Sequence, residues 1–142
     1  MKKTFFIIIA TLGLLGSCKK ADNSSNSISP TIVTNTVISG SWRITYYWDT
    51  NHEETSSFSG YSFTFGNGNA LIAVKGTSTI TGTWTTGTDD SQTKLILSFS
   101  TPSSFMEISD DWHITEVTST RIKLQDISGG NGGTDYLTFE KN

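Results

Sequence analysis

Few residues in this chain have both the type and the spacing that chemistry needs. Cys18 is the only cysteine, so no internal disulfide is available and the lone thiol is left as a nucleophile or acyl acceptor. Metal-ligand types crowd together in His52-Glu53-Glu54 and in Asp110-Asp111-Trp112-His113. Neither run has the histidine pair on one helix face that zinc hydrolases use, so no metal or other cofactor is expected. Asp89-Asp90 near Gly87 lacks the alternating oxygens of a calcium loop and reads as a turn. Serines are plentiful, yet none sits in a G-x-S-x-G elbow. No glycine-rich loop follows a strand and opens a helix to hold phosphate. The chain is therefore read as non-enzymatic, with no catalytic residue assigned.

Cys18 has a more specific setting. Lys2 and Lys3 make a positive start, Phe5 to Leu15 is an apolar stretch broken only by Thr11 and Gly13, and Gly16-Ser17 places small residues before the cysteine. That is the three-part layout of an export signal. The apolar stretch is shorter than the roughly 20 residues that cross a bilayer core. Leu15-Gly16-Ser17-Cys18 resembles the bacterial lipobox. The resemblance implies that residues 1–17 are removed, that Cys18 is lipidated, and that a membrane is the partner. Each buried methylene of an acyl chain contributes about 0.8 kcal/mol, so more than one chain anchors stably. From Lys19 to about Val37 the chain is rich in Ser, Asn and Thr with one Pro30, and residues 18–37 are expected to be a flexible tether outside the fold. The expected location is the cell envelope, with an outer-membrane anchor as the default.

Residues 38–142, about 105 in all, suffice for one domain with one core. Six basic residues (Arg43, Lys75, Lys94, Arg121, Lys123, Lys141) stand against twelve acidic ones there, a net charge of −6. Nucleic acid is excluded as a partner, since neutralising phosphates demands a basic surface.

From Gly40 onward apolar residues recur at every second position, the period of a strand. Trp42, Ile44, Tyr46 and Trp48 share one face of the first strand under strict alternation, and Tyr61, Phe63 and Phe65 repeat the pattern. Gly66-Asn67-Gly68-Asn69 marks a tight turn into Ala70 to Val74, and Gly129 to Gly133 marks another between Arg121 to Ile127 and Tyr136 to Phe139. Further strands are expected near 79–85, 94–99 and 112–118. Phe105-Met106-Glu107-Ile108 in the longest link either covers a barrel mouth or plugs the core, with plugging favoured. About eight strands with short links predict an all-β fold, an antiparallel up-and-down barrel whose last strand closes on the first. A β-sandwich is the alternative, though it needs more long crossovers than the links allow.

Gly40-Ser41-Trp42 at the start of the first strand looks like the G-x-W signature of lipocalins, whose tryptophan packs across one end of the barrel. Over residues 38–142 the chain resembles the small bacterial lipocalin-like lipoproteins. The resemblance implies a late arginine stacked on the tryptophan, and Arg121 is the candidate, although it opens the seventh strand instead of lying in the eighth. Thr134-Asp135-Tyr136 matches another lipocalin triplet one strand too late and is taken as coincidence. Ile38 to Trp42 recurs in type as Ile80 to Trp84, so both places are expected to need a glycine beside a large ring.

Trp42, Tyr46, Trp48, Tyr61, Phe63, Phe65, Trp84, Phe99 and Trp112, with Arg121, are the candidate ligand-binding residues. They either line a cavity for a small apolar or amphipathic molecule or fill it, and rings of about 150–250 Å² each favour filling. Glu116 and Asp126 fall in phase with Ile114 and Leu124, either as anchors for a ligand head group or as solvated rim residues. Two functions follow. One is a membrane-tethered container. The other is an interaction protein whose filled barrel contacts protein or glycan through the loops 49–57 and 102–111, with Phe58 or Phe105 exposed.

Overall fold

The computed structural model describes residues 28–127 and 133–142. The signal segment, Cys18 and most of the glycine run after Ile127 lie outside them. Helix α1 (Pro30–Val37) precedes strands β1 (Ser41–Asp49), β2 (His52–Glu53), β3 (Ser62–Phe65), β4 (Ala70–Lys75), β5 (Ser78–Asp89) and β6 (Gln92–Phe99). A short helix α2 (Ser103–Glu107) leads to β7 (Asp111–Val117), β8 (Arg121–Ile127) and β9 (Thr134–Lys141). β1 and β3 to β9 pair antiparallel with their sequence neighbours, and β9 returns to β1 from Trp42↔Lys141 to Trp48↔Tyr136. The result is a closed eight-stranded barrel with the two-residue β2 added beside the end of β1. Closure removes the sheet edges that a sandwich would keep.

Strict alternation fails in two strands. The β1–β9 register shifts between Ile44 and Tyr46, and the β7–β8 register shifts between Ile114 and Glu116. Each extra residue reverses the phase beyond it. In β1 the buried residues are Trp42, Ile44 and then Tyr47. Tyr46 is thus turned outward and is 39% exposed, and Trp48 shares that outer face. Neither can line an interior cavity, contrary to the alternation-based expectation.

The expected tether also ends early. Residues 30–37 form α1, with Pro30 in its first turn and the Ser29 hydroxyl accepting the Ile32 N–H at 3.3 Å. Val33 and Val37, one turn apart, are completely buried against the barrel. A stripe of two valines in a Thr- and Asn-rich segment is too thin to stand out as an amphipathic helix.

α1 closes the barrel mouth where β1 begins, and α2 with the 3-10 turn Thr55–Phe58 closes the mouth where β1 ends. Two buried indoles tie the wall to the segments that close the mouths, and a third ties it to the turn between β3 and β4. Trp42 Nε1 donates to Val37 O at 2.8 Å, Trp84 Nε1 to Gly66 O at 3.0 Å and Trp112 Nε1 to Ile108 O at 3.0 Å. Between the mouths the rings form one connected path. Trp84 meets Phe65, Phe65 meets Phe139, Phe139 meets Phe63 and Phe63 stacks on Phe105, with centroids 5.5–5.8 Å apart. Phe105 then meets Phe58 at 5.3 Å, Phe58 meets Tyr47 at 5.6 Å and Tyr47 meets Trp112 at 6.5 Å. These separations are those of directly packed rings. Plugging is therefore what the 105–108 turn does.

Charge divides along the barrel axis. Strand directions place Asp49, Glu53, Glu54, Glu107, Asp110, Asp111, Asp126 and Asp135 toward the α2 end, with Lys75 there and Lys94 reaching Asp111 from β6. Arg43, Lys94, Arg121, Lys123 and Lys141 lie toward the α1 end with Asp89, Asp90, Glu116 and Glu140.

Phe105→Ala should cost about 3–5 kcal/mol in urea unfolding followed by tryptophan fluorescence, because its cavity is walled by other rings. Tyr46→Ala should cost below about 1 kcal/mol. Gly82→Ala should destabilise by about 1–3 kcal/mol, since an added Cβ would overlap the Ser98 carbonyl and the Phe99 ring. Gly87→Ala, with only an ordinary contact to Ile96, should be far milder.

Candidate functional site

Six of the candidate residues, Trp42, Phe63, Phe65, Trp84, Phe99 and Trp112, are brought together in the interior, all buried and packed on one another or on the capping segments. Tyr61 is half-buried at the edge of the same core, 5.1 Å from Phe105. Phe58 and Phe105 are both 1% exposed, so the loop patch expected for an interaction protein is not made of them.

Arg121 is not the cation over Trp42. It lies on the outer wall, its Nε donating to Glu116 at 2.7 Å. The bulge in β7 carries Glu116 to that face, where Lys123 also approaches it at 3.5 Å. Arg121 holds the Glu116 carboxyl below the usual carboxylate range. The cation over the Trp42 ring is Lys141, 5.7 Å from the centroid. Gly40, with φ of +143°, makes this possible, because a Cβ there would lie 2.8 Å from Lys141 Cε. The signal was present in Gly40, but nothing in the sequence pointed to Lys141.

Among the described residues the surface carries a small recess between α1 and the turn at Asn67–Asn69, and two larger ones away from α1. The first of the larger two runs along a seam. β1 pairs with β3 only through Ser41 and Trp42, and with β2 only through Trp48 and Asp49, so residues 43–47 have no strand on that side. The 3-10 turn bridges the gap: the Tyr47 N–H donates to Thr55 Oγ1 at 2.8 Å and the Glu54 N–H to Tyr47 O at 3.0 Å. Phe58 fills the space behind it. What remains is a groove of about 600 Å³ bounded by Arg43, Ile44, Thr45, Ser56, Tyr61 and Asn142. The second of the larger two, about 320 Å³, lies on the outer wall among Tyr46, Tyr136, Thr115, Lys123, Gln125 and Thr138. Tyr136 is 42% exposed.

At the α2 end, Asp49, His52 and Glu54 offer ligand atoms within 4.8 Å of one another. His52 Nδ1 is 2.6 Å from Asn51 Oδ1, while Nε2 contacts the Glu54 carboxylate. Asp110, Asp111 and Asp126 form a second group within the same spacing, each of them partly buried. Oxygen-rich sets of this kind suit hard cations, but both groups sit at a solvated rim. Glu107 of α2 is held above the ordinary glutamate range by loss of water around it and then by the nearby Glu54 and Asp49 carboxylates. Burial, and then Asp49 and Glu107, raise the Tyr47 hydroxyl strongly, keeping it neutral as the donor to Glu107 O at 3.1 Å. Lys94 is buried and donates to Asp111 at 2.5 Å and to Asp89 at 3.2 Å. That bond holds Asp111 below its usual range.

These two carboxyls act on stability with opposite signs. Asp111, lowered on folding, stabilises above the ordinary aspartate range and loses the effect as pH falls. Asp111→Asn should therefore cost up to about 1 kcal/mol at pH 7 and nothing near pH 2. Glu107, raised on folding, is stabilising only while protonated. Glu107→Gln should raise the urea midpoint at pH 7 and leave it unchanged near pH 3.

No family model matches the chain, and no curated protein matches it. Among solved structures it is similar in fold to a DUF4847 family protein from Bacteroides vulgatus, with a TM-score of 0.52 and 17% sequence identity. The match covers 78% of this chain and 97% of that one. The similarity is one of fold, the closed antiparallel barrel.

Proposed function

We propose that this chain is a lipid-anchored, non-catalytic module of the cell envelope, held at the outer membrane through Cys18, whose solid barrel works through its outer wall. The connected path of rings from Trp84 to Trp112 carries this reading. A container must keep an apolar volume of some hundreds of Å³ free for its ligand. Here the side chains that would line it pack on one another. Lipocalin-like character is then confined to the barrel and the G-x-W end, without the hollow.

The available contact surfaces are the seam beside β1 and the tyrosine-flanked recess on β7, β8, β9 and β1. Both mix aromatic and hydroxyl groups, as partly exposed recognition surfaces do. Catalysis has no support in the geometry of the described residues, where the polar groups that converge are carboxylates with one imidazole at the α2 end and carboxylates paired to Lys94, Arg121 and Lys123 on the wall.

Native mass spectrometry of the purified domain should give the bare polypeptide mass, and tryptophan emission should not shift on titration with fatty acids or phospholipids. A retained small molecule together with an emission shift would restore the container. Cys18→Ser should move the protein from the membrane to the soluble fraction, and persistence of the variant in the membrane would overturn the anchor.

A further inference from the structure

Nearly every aromatic side chain in this molecule is committed to a partner. Among the described residues the exceptions are Tyr46, Trp48 and Tyr136. No ring packs on them, no cation lies over them, and neither the two hydroxyls nor the indole N–H has a hydrogen bond to the protein. Every other described aromatic meets another ring or, as Trp42 does, a cation and a carbonyl. The three exceptions stand on one outer face. The β1 bulge turns Tyr46 and Trp48 outward, β9 sets Tyr136 directly opposite Trp48, and β8 sets Gln125 directly opposite Tyr136. Tyr46 is opposite Thr138, so Tyr136 is its diagonal neighbour across the strands, about 7–8 Å away. Both tyrosines bound the recess of about 320 Å³ on this wall. Its polar side chains are free as well. The Gln125 amide and the Thr138 hydroxyl have no hydrogen bond to the described residues, and Lys123, the one charged residue of the lining, is 3.5 Å from the Glu116 carboxylate.

We propose that this face is a binding platform for a neutral glycan, with pyranose rings lying on Tyr46, Tyr136 and Trp48 and hydroxyls bonded by Gln125 and Thr138. The inference rests on the proposed use of the outer wall as the contact surface and names the ligand of one recess there. A pyranose presents C–H groups on its faces and hydroxyls around its rim. The faces need flat apolar area with a negative π surface, which uncommitted rings supply. The rim needs groups that both donate and accept, as an amide and a hydroxyl do and an ammonium or carboxylate does not. Ring positions about 7 Å apart along and across the strands suit successive units of a chain. An acidic glycan would need an unpaired cation, and Lys123 is paired with Glu116. A peptide cannot add a strand here, because β8 and β9 are already paired on both sides.

The test uses the full chain in a zwitterionic detergent without a sugar headgroup. It is titrated with cellohexaose, maltohexaose, mannohexaose and chitohexaose, followed by calorimetry and tryptophan emission. Trp48 is the indole outside the core, the other three being buried. Binding of at least one of these glycans is expected, with an emission shift that disappears in Trp48→Phe. Affinity should fall tenfold or more in Tyr136→Ala and several-fold in Gln125→Ala, each with the near-ultraviolet circular dichroism of the wild type, and should be unchanged in Arg43→Ala, which alters the seam. Binding lost in Arg43→Ala but kept in Tyr136→Ala and Gln125→Ala would overturn this placement and leave the outer wall as the contact surface. No binding by any of the four would overturn the carbohydrate, and a photocrosslinker at position 125 that then captured an envelope protein would leave the outer wall standing with a different partner. A sugar ordered in the barrel interior would overturn both readings.

Discussion

A small closed barrel must fill its own interior, and every buried indole N–H must find an acceptor there. These two requirements organise the molecule. The wall alone cannot satisfy them, because strand backbone groups are already paired with one another. Trp42, Trp84 and Trp112 instead donate to Val37, Gly66 and Ile108, carbonyls of the segments that cross the ends or turn between strands. The caps are thus not accessories to a finished barrel. α1 supplies an acceptor and two buried valines, and α2 supplies Phe105, whose ring lies within 5.0–5.8 Å of Phe58, Tyr61, Phe63 and Phe99.

With the interior filled, the contact surfaces proposed for this chain lie on the outer wall. What distinguishes this wall from that of an ordinary barrel comes from interruptions in the ladder. The bulge at Thr45 turns Tyr46 and Trp48 outward, and the bulge at Thr115 sets Glu116 beside Arg121 and Lys123. The early parting of β1 from β3 opens the seam that Thr55 and Phe58 then bridge. The first of these puts Tyr46 into the outer-wall recess, and the last opens the groove beside β1.

The fold was legible because the eight long strands carry period-two patterning bounded by Gly, Asn and Asp, and that periodicity requires no knowledge of tertiary contacts. The packed aromatics were legible too, since rings in a short barrel have nowhere else to go. What escaped were features that depend on a partner distant in sequence. A bulge leaves no composition signal, so Tyr46 and Trp48 were placed on the wrong face and Glu116 was left open between interior and rim. Lys141 over Trp42 depends on β9 closing against β1 and on the missing Cβ of Gly40. α1 escaped because its stripe is only Val33 and Val37, and its burial comes from the barrel end it covers. Cys18, read from its local setting, lies outside the described residues, and its chemistry stands as proposed.

The claim on which the rest turns is that the barrel is solid. Diffraction from crystals under xenon pressure reads it directly, because xenon occupies dry apolar cavities. The packing of Phe63, Phe65, Phe105 and Phe139 predicts no xenon among these rings. Ordered xenon inside the barrel would contradict it and return the molecule to the containers.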